Sequence, residues 1–70
     1  PIEAMEVRAL DHLIRPGDVA YDVGVNRGFL LVEMAARVGD RGRVIGFEPN
    51  PSLLPALTRT AAATPWIDIH

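Results

Sequence analysis

Two acidic residues and two glycines occupy positions from which they could hold a small ligand. The stretch YDVGVNRGF, residues 21–29, contains Asp22 followed by Gly24 and Gly28, and Glu48 comes 24 positions after Gly24. Glycine lets a backbone turn sharply and approach a ligand closely, and carboxylates accept hydrogen bonds from hydroxyl or ammonium groups. This combination predicts a site for a small molecule that carries hydroxyl or cationic groups.

Residues 24–28, called the glycine loop below, are predicted to join a strand to a helix. VAYDV, residues 19–23, has the composition of a short strand, and FLLVEMAARV, residues 29–38, is apolar on almost every face. Such a helix is typical of one buried between a sheet and a second helix. Gly24 would allow the sharp turn and Gly28 would let the helix begin near the strand, with free N–H groups at the helix N-terminus facing the ligand.

The glycine loop departs from the fingerprint of dinucleotide-binding proteins, G-x-G-x-x-G. Counted from Gly24, the second glycine position holds Asn26 and the third holds Phe29. Asp22 would also stand close to a pyrophosphate and repel it. An acid at this place favours a ligand with positive charge, such as an ammonium beside a sulfonium.

Glu48 is predicted to end the second strand, VIGFE, residues 44–48. Pro49 follows it and biases Glu48 towards an extended backbone. In doubly wound folds an acid at the end of the second strand accepts hydrogen bonds from ribose hydroxyls. Because neighbouring parallel strands end at the same sheet edge, we expect one ligand to contact Asp22, the glycine loop and Glu48.

Helices and strands alternate along the whole chain, which predicts an α/β fold of the Rossmann-like, doubly wound type with parallel strands and helices on both faces. Besides the segments above, the predicted elements are a helix at 2–14, a turn at 15–18, a helix from a Ser52 cap to about Ala63 and a strand at 66–70. We expect residues 1–70 to be the N-terminal, incomplete part of one domain, with further strands beyond. An open sheet edge would favour association between copies.

Composition excludes several kinds of protein. The net charge is −2, the seven arginines are scattered between acids, and there is no cysteine. These features argue against nucleic-acid binding, disulfides and thiolate metal sites, and His12 and His70 do not form a metal pair. No apolar run approaches the roughly 20 residues that span a bilayer, so we expect a cytoplasmic protein without a membrane partner.

RPGDVAYDVGVNRGFL and GDRGRVIGFEPNP together resemble the N-terminal half of a class I S-adenosylmethionine (SAM) methyltransferase, in particular the FkbM type. The FkbM type has PGD…DVGAN.G and G..G.V.AFEPNP at these places. The resemblance implies SAM as cofactor, with Asp22 and Gly24 beside its methionine part and Glu48 on its ribose hydroxyls. Asn26 stands where many other SAM enzymes have glycine, so it joins Gly28 among the implied cofactor-binding residues.

The resemblance further implies methyl transfer, most simply to an oxygen atom of a small-molecule or glycan-type acceptor. A catalytic base would then lie in later strand-end loops, and none is assigned here. Val25 and Arg27 differ from the small and apolar residues usual in this type, and a valine facing the crevice would crowd the cofactor. An NAD-dependent oxidoreductase and a non-catalytic Rossmann-like module remain as alternative readings of the same residues.

Overall fold

The computed structural model describes residues 2–26 and 28–70, with side chains described from Arg8 onwards. Helices and strands alternate in the predicted order, and none of the described helices is long and apolar enough to cross a membrane. The helices are α1 (Ile2–Leu13), α2 (Phe29–Val38) and α3 (Leu54–Ala63), and the strands are β1 (Val19–Val23), β2 (Arg43–Phe47) and β3 (Ile67–Ile69).

The three strands form one parallel sheet in the order β1-β2-β3. Asp22 pairs in register with Gly46, and Val44 pairs with Ile67. This arrangement confirms the predicted α/β class and the predicted neighbourhood of the first two strands. It also brings the carboxyl ends of β1 and β2 to the same edge, which is where a parallel α/β sheet binds its ligands.

The described helices cover one face of the sheet, so these residues build one of the two helical layers of the predicted doubly wound fold. Leu31 and Val38 of α2 and Leu57 of α3 share one core with Val44 and Ile67. Both crossovers step in the same direction, from β1 to β2 and from β2 to β3. Because parallel crossovers are right-handed, two steps in the same direction place their helices on the same face.

The opposite face of the sheet carries apolar side chains without a helix over them in the described part of the chain. Val19, Tyr21 and Val23 alternate along β1 and are 59%, 62% and 80% exposed, and Phe47 of β2 is 40% exposed. Alternate residues of a strand point to opposite faces, so these side chains lie on the side away from the core. The second layer of a doubly wound fold would cover this face.

Helix α2 lies between the sheet and α1, as its apolar sequence predicts. On the sheet side, Leu31, Ala35 and Val38 are buried. On the α1 side, Arg37 forms ion pairs with Asp11 and with Glu33, at 2.8 and 3.1 Å. Helix α2 ends before Gly39, whose positive φ of 69° suits a residue without a side chain.

Two local predictions need correction near Glu48. Strand β2 ends at Phe47, so Glu48 is the first residue beyond it, although its N–H still donates to the His70 carbonyl at 3.0 Å. The cap of the next segment is Asn50 and not Ser52: the Asn50 side chain accepts from the Ser52 N–H in front of a 3-10 turn, Pro51–Leu53. Pro51 restricts Asn50 to an extended backbone, from which its side chain reaches that N–H.

Candidate functional site

The glycine loop and Glu48 meet at the carboxyl edge of the sheet. The N–H groups of Gly24 and Val25 both donate to the Phe47 carbonyl, at 2.7 and 3.2 Å. The next N–H, that of Asn26, donates to Oε1 of Glu48 at 2.6 Å. The structure therefore brings together two of the predicted site features, which lie 22 residues apart in the chain.

The Glu48 carboxylate accepts a backbone N–H on each of its oxygens. Besides the bond from Asn26, its Oε2 accepts the N–H of Asn50 at 2.9 Å. An ionised carboxylate has about four acceptor positions, two on each oxygen. One position per oxygen thus remains beyond these two bonds, which suits a ligand that presents two neighbouring hydroxyl groups, as a ribose does.

Asp22 occupies a different position from Glu48. Among the side chains that the structure describes, Asp22 is the one charged group that is buried, with 7% of its surface exposed. Its register partner is Gly46, on the helix-covered face, whereas the next residue, Val23, points to the open face. Asp22 therefore lies beneath the glycine loop, on the side of α2.

The two glycines of the loop have distinct roles in its geometry. Gly24 has a φ of 74° and no atom within 4 Å of the place where a Cβ would stand, so it leaves open space at the turn. Gly28 has a φ of 89°, and a Cβ there would stand 3.0 Å from Cδ2 of Leu57. Gly28 thus lets α2 begin close to α3, while Gly24 is the glycine that leaves room for a ligand.

Asn26 contributes its backbone to this arrangement. Its φ of 62° lies in the left-handed region, which asparagine tolerates better than most residues. The contact to Glu48 is made by the main-chain N–H, and the residue is exposed. The predicted role of Asn26 in the site therefore rests on the conformation that it adopts.

Val25 does not crowd the crevice, contrary to expectation. Its exposed fraction is 3% and it belongs to the hydrophobic core. A Cβ on Gly46 would stand 2.8 Å from Cγ2 of Val25, so the glycine in β2 makes room for the valine under the loop. Gly46 thus allows close packing within the strand. Arg27, the other unusual residue of the loop, lies outside the described residues.

An open cavity of about 470 Å³ adjoins Glu48 at the carboxyl edge. Its lining is mostly apolar and comes from Val23, Phe47, Glu48, Pro49 and His70. The rings of Phe47 and His70 stack with centroids 5.5 Å apart and planes inclined by 26°. Val23, Phe47 and His70 were not among the residues predicted to line a site, although all three lie at the carboxyl ends of parallel strands.

These features fit the nucleoside part of SAM. A carboxylate with acceptor positions left over stands beside an apolar cavity with aromatic walls, and the turn at Gly24 is open. Pockets that bind flat organic ligands combine such apolar walls with a few placed polar groups. Among the described residues, no three histidine or acidic side chains stand close enough together to hold a metal ion.

Comparison with known proteins finds a similar sequence in a methyltransferase. The chain is 33% identical over 69 residues to the protein-L-isoaspartate O-methyltransferase 1 of Arabidopsis thaliana. The alignment covers 94% of this chain and 30% of that relative. The chain thus spans about a third of the length of the curated relative. No family model matches the chain.

Solved structures with the same fold include a protein with bound SAM and a SAM-dependent methyltransferase. Fibrillarin of Aeropyrum pernix, crystallised with natively bound SAM, superposes with a TM-score of 0.76 at 25% identity, over 80% of this chain and 24% of that one. A SAM-dependent methyltransferase of Aquifex aeolicus gives 0.73 at 19% identity, over 90% and 34%. A Clostridium thermocellum protein assigned as an rRNA methylase gives 0.85 at 18% identity, over 96% and 38%.

The chain therefore has the fold of the N-terminal part of a class I SAM-dependent methyltransferase. The narrower resemblance to the FkbM type gains no support from these comparisons. The curated relative is an isoaspartate O-methyltransferase, and no family model matches. The sequence motifs that suggested the FkbM type, DVG.N.G and FEPNP, are short stretches at the ends of β1 and β2.

Proposed function

We propose that the protein containing this chain is a SAM-dependent methyltransferase and that residues 1–70 form part of its cofactor-binding domain. The observation that carries the proposal is the position of Glu48. Its carboxylate joins the glycine loop at the carboxyl edge, retains acceptor positions and borders an apolar cavity. Glu48 would accept the ribose hydroxyls, and Phe47, Pro49 and His70 would pack against the adenine. Asp22 and Gly24 would lie towards the methionine part.

When bound, the cofactor supplies a methyl group on a sulfonium, which an acceptor nucleophile attacks in line. This chain would bind the cofactor and orient its methyl group, and this positioning lowers the entropic cost of bringing the two reactants together. The reaction that we propose is O-methyl transfer, supported by the sequence resemblance and by the name of the Arabidopsis relative. The sequence resemblance favours a small molecule or glycan as the acceptor, whereas the name of the Arabidopsis relative favours an isoaspartyl carboxylate.

The arrangement of the loop disfavours the NAD-dependent alternative. A pyrophosphate would need the N–H groups of the loop, but those of Gly24, Val25 and Asn26 already donate to Phe47 and Glu48. The burial of Val25 also removes one reason to read the chain as a module whose ligand site has closed.

The test is calorimetry on the intact protein with SAM, S-adenosylhomocysteine and NAD. We expect binding of both adenosyl compounds, weakened about tenfold or more by Glu48→Gln because hydrogen bonds from hydroxyls to a charged acceptor are lost. Glu33→Gln is the matched control: Glu33 is a half-buried glutamate on α2 that pairs with Arg37 and does not line the cavity. Tight binding of NAD without binding of SAM would refute the proposal.

A further inference from the structure

Three consecutive N–H groups of the glycine loop point to the end of β2. Those of Gly24 and Val25 share the Phe47 carbonyl, at 2.7 and 3.2 Å, and that of Asn26 reaches the Glu48 carboxylate at 2.6 Å. Successive backbone N–H groups that turn the same way form a concave site for an anion. Here a negatively charged group of the chain itself takes the third N–H.

Both the backbone and the side chain of Glu48 are held by hydrogen bonds. The backbone N–H donates to the His70 carbonyl at 3.0 Å, which fixes the residue beside β3. Its second carboxylate oxygen accepts the N–H of Asn50 at 2.9 Å. The carboxylate thus bridges the glycine loop and the segment that precedes the 3-10 turn, and we call these two side-chain contacts the Glu48 bridge.

The Glu48 bridge acts on a residue whose backbone conformation is unfavourable. Asn26 has a φ of 62°, and it is the one described residue other than glycine with a positive φ. Such a conformation persists when surrounding contacts impose it. The hydrogen bond to Glu48 is short and charge-assisted, and bonds of this kind are stronger than those between neutral groups.

We propose that Glu48 is a positioning residue: its carboxylate holds the glycine loop in its binding conformation before any ligand arrives. The inference deepens the proposed function, on which it rests for the identity of the ligand. It assigns to Glu48 a task separate from contact with ribose hydroxyls. As a consequence, a phosphate group finds the third loop N–H already bonded to an anion, so the loop favours adenosyl ligands without a phosphate at this place.

The test is amide hydrogen exchange, measured by NMR on the intact protein without ligand. In Glu48→Ala we expect the amides of Asn26 and Asn50 to exchange about tenfold faster or more, since both lose a charged acceptor. The amides of Val44 and His70 bond within the sheet, to Trp66 and Gly46, and should keep their rates. The control variant Glu33→Ala should leave the Asn26 and Asn50 amides unchanged.

If the sheet amides of Glu48→Ala also exchange faster, the variant has lost its fold and Glu48→Gln decides. Glutamine keeps one acceptor oxygen, so we expect one of the two amides to stay protected and the other to exchange faster. Wild-type rates at both amides in a folded variant would overturn the inference. This readout needs no ligand: failure of SAM to bind refutes the proposed function alone, and SAM binding with unchanged exchange refutes the positioning role alone.

Discussion

A methyl group added at Gly46 tests how the glycine loop is anchored on the sheet. In Gly46→Ala the new Cβ would stand 2.8 Å from Cγ2 of Val25 and 3.1 Å from Cδ1 of both Leu31 and Ile69. Three buried or half-buried side chains would have to shift together. Val25 would move most, because its contact is the shortest, and the loop above it would move with it.

The expected loss of stability follows from two opposing terms. Overpacking a well-filled core costs about 1–3 kcal/mol. Replacing glycine by alanine within a strand returns about 0.5–1 kcal/mol of backbone entropy. We therefore expect Gly46→Ala to lower the free energy of unfolding by about 1–2 kcal/mol. Val25→Ala alone should lower it by about 2 kcal/mol, through the loss of two buried methyl groups.

The double variant separates this packing contact from a general loss of stability. With Val25 shortened, the methyl group at position 46 fills the space that the valine leaves. The free energy of unfolding of the double variant should therefore exceed, by about 1–2 kcal/mol, the value expected if the two single losses were simply added. Urea unfolding of the intact protein, followed by circular dichroism, gives these free energies if the slope stays constant.

The control pair is Val38→Ala with Gly46→Ala. Val38 is fully buried in the same core but lies at the other end of α2, where it packs against Gly42. Its loss should add to that of Gly46→Ala within about 0.5 kcal/mol. If the Val25 and Gly46 losses were additive to the same degree, the loop would not be anchored through this contact.

Three further substitutions, at Gly42 and Asn26, test other parts of the structure. In Gly42→Ala the new Cβ would stand 2.5 Å from the Asp18 carbonyl oxygen and 2.6 Å from Cβ of Val38. We therefore expect the free energy of unfolding, measured by thermal unfolding, to fall by about 3 kcal/mol or more. A decrease of less than about 1 kcal/mol would contradict this expectation. Asn26→Gly should keep SAM affinity within about twofold, since the backbone N–H makes the contact, whereas Asn26→Val should lose about 1–2 kcal/mol of stability at its positive φ. A large loss of SAM affinity in Asn26→Gly would contradict this and show that the Asn26 side chain is needed for binding.

The order of helices and strands could be predicted from the sequence because its signals are local. Apolar runs of different length distinguished β1 from α2. The parallel pairing of β1 and β2 followed from the alternation. The face that the described helices cover did not follow from the fold type, because it depends on the direction in which the two crossovers step.

The candidate site could be predicted only as a set of positions. Residue types and strand ends picked out Asp22, the glycine loop and Glu48, since carboxylates and glycines at strand tips are signals within short stretches. The partners of those residues depend on the space and donors that distant segments provide. The bond from Asn26 to Glu48 spans 22 residues, and the burial of Val25 depends on the missing side chain of Gly46.

The sequence by itself thus determined the fold class and the placement of Asp22, the glycine loop and Glu48 at the carboxyl ends of neighbouring strands. The tertiary structure decided which way each side chain faces there. The side chain of Val25 lies in the core, in the space that Gly46 leaves. His70 stacks on Phe47 beside the cavity because parallel pairing places the ends of their strands side by side. Local sequence fixes backbone preferences, whereas the direction of a loop side chain depends on what the neighbouring strand leaves empty.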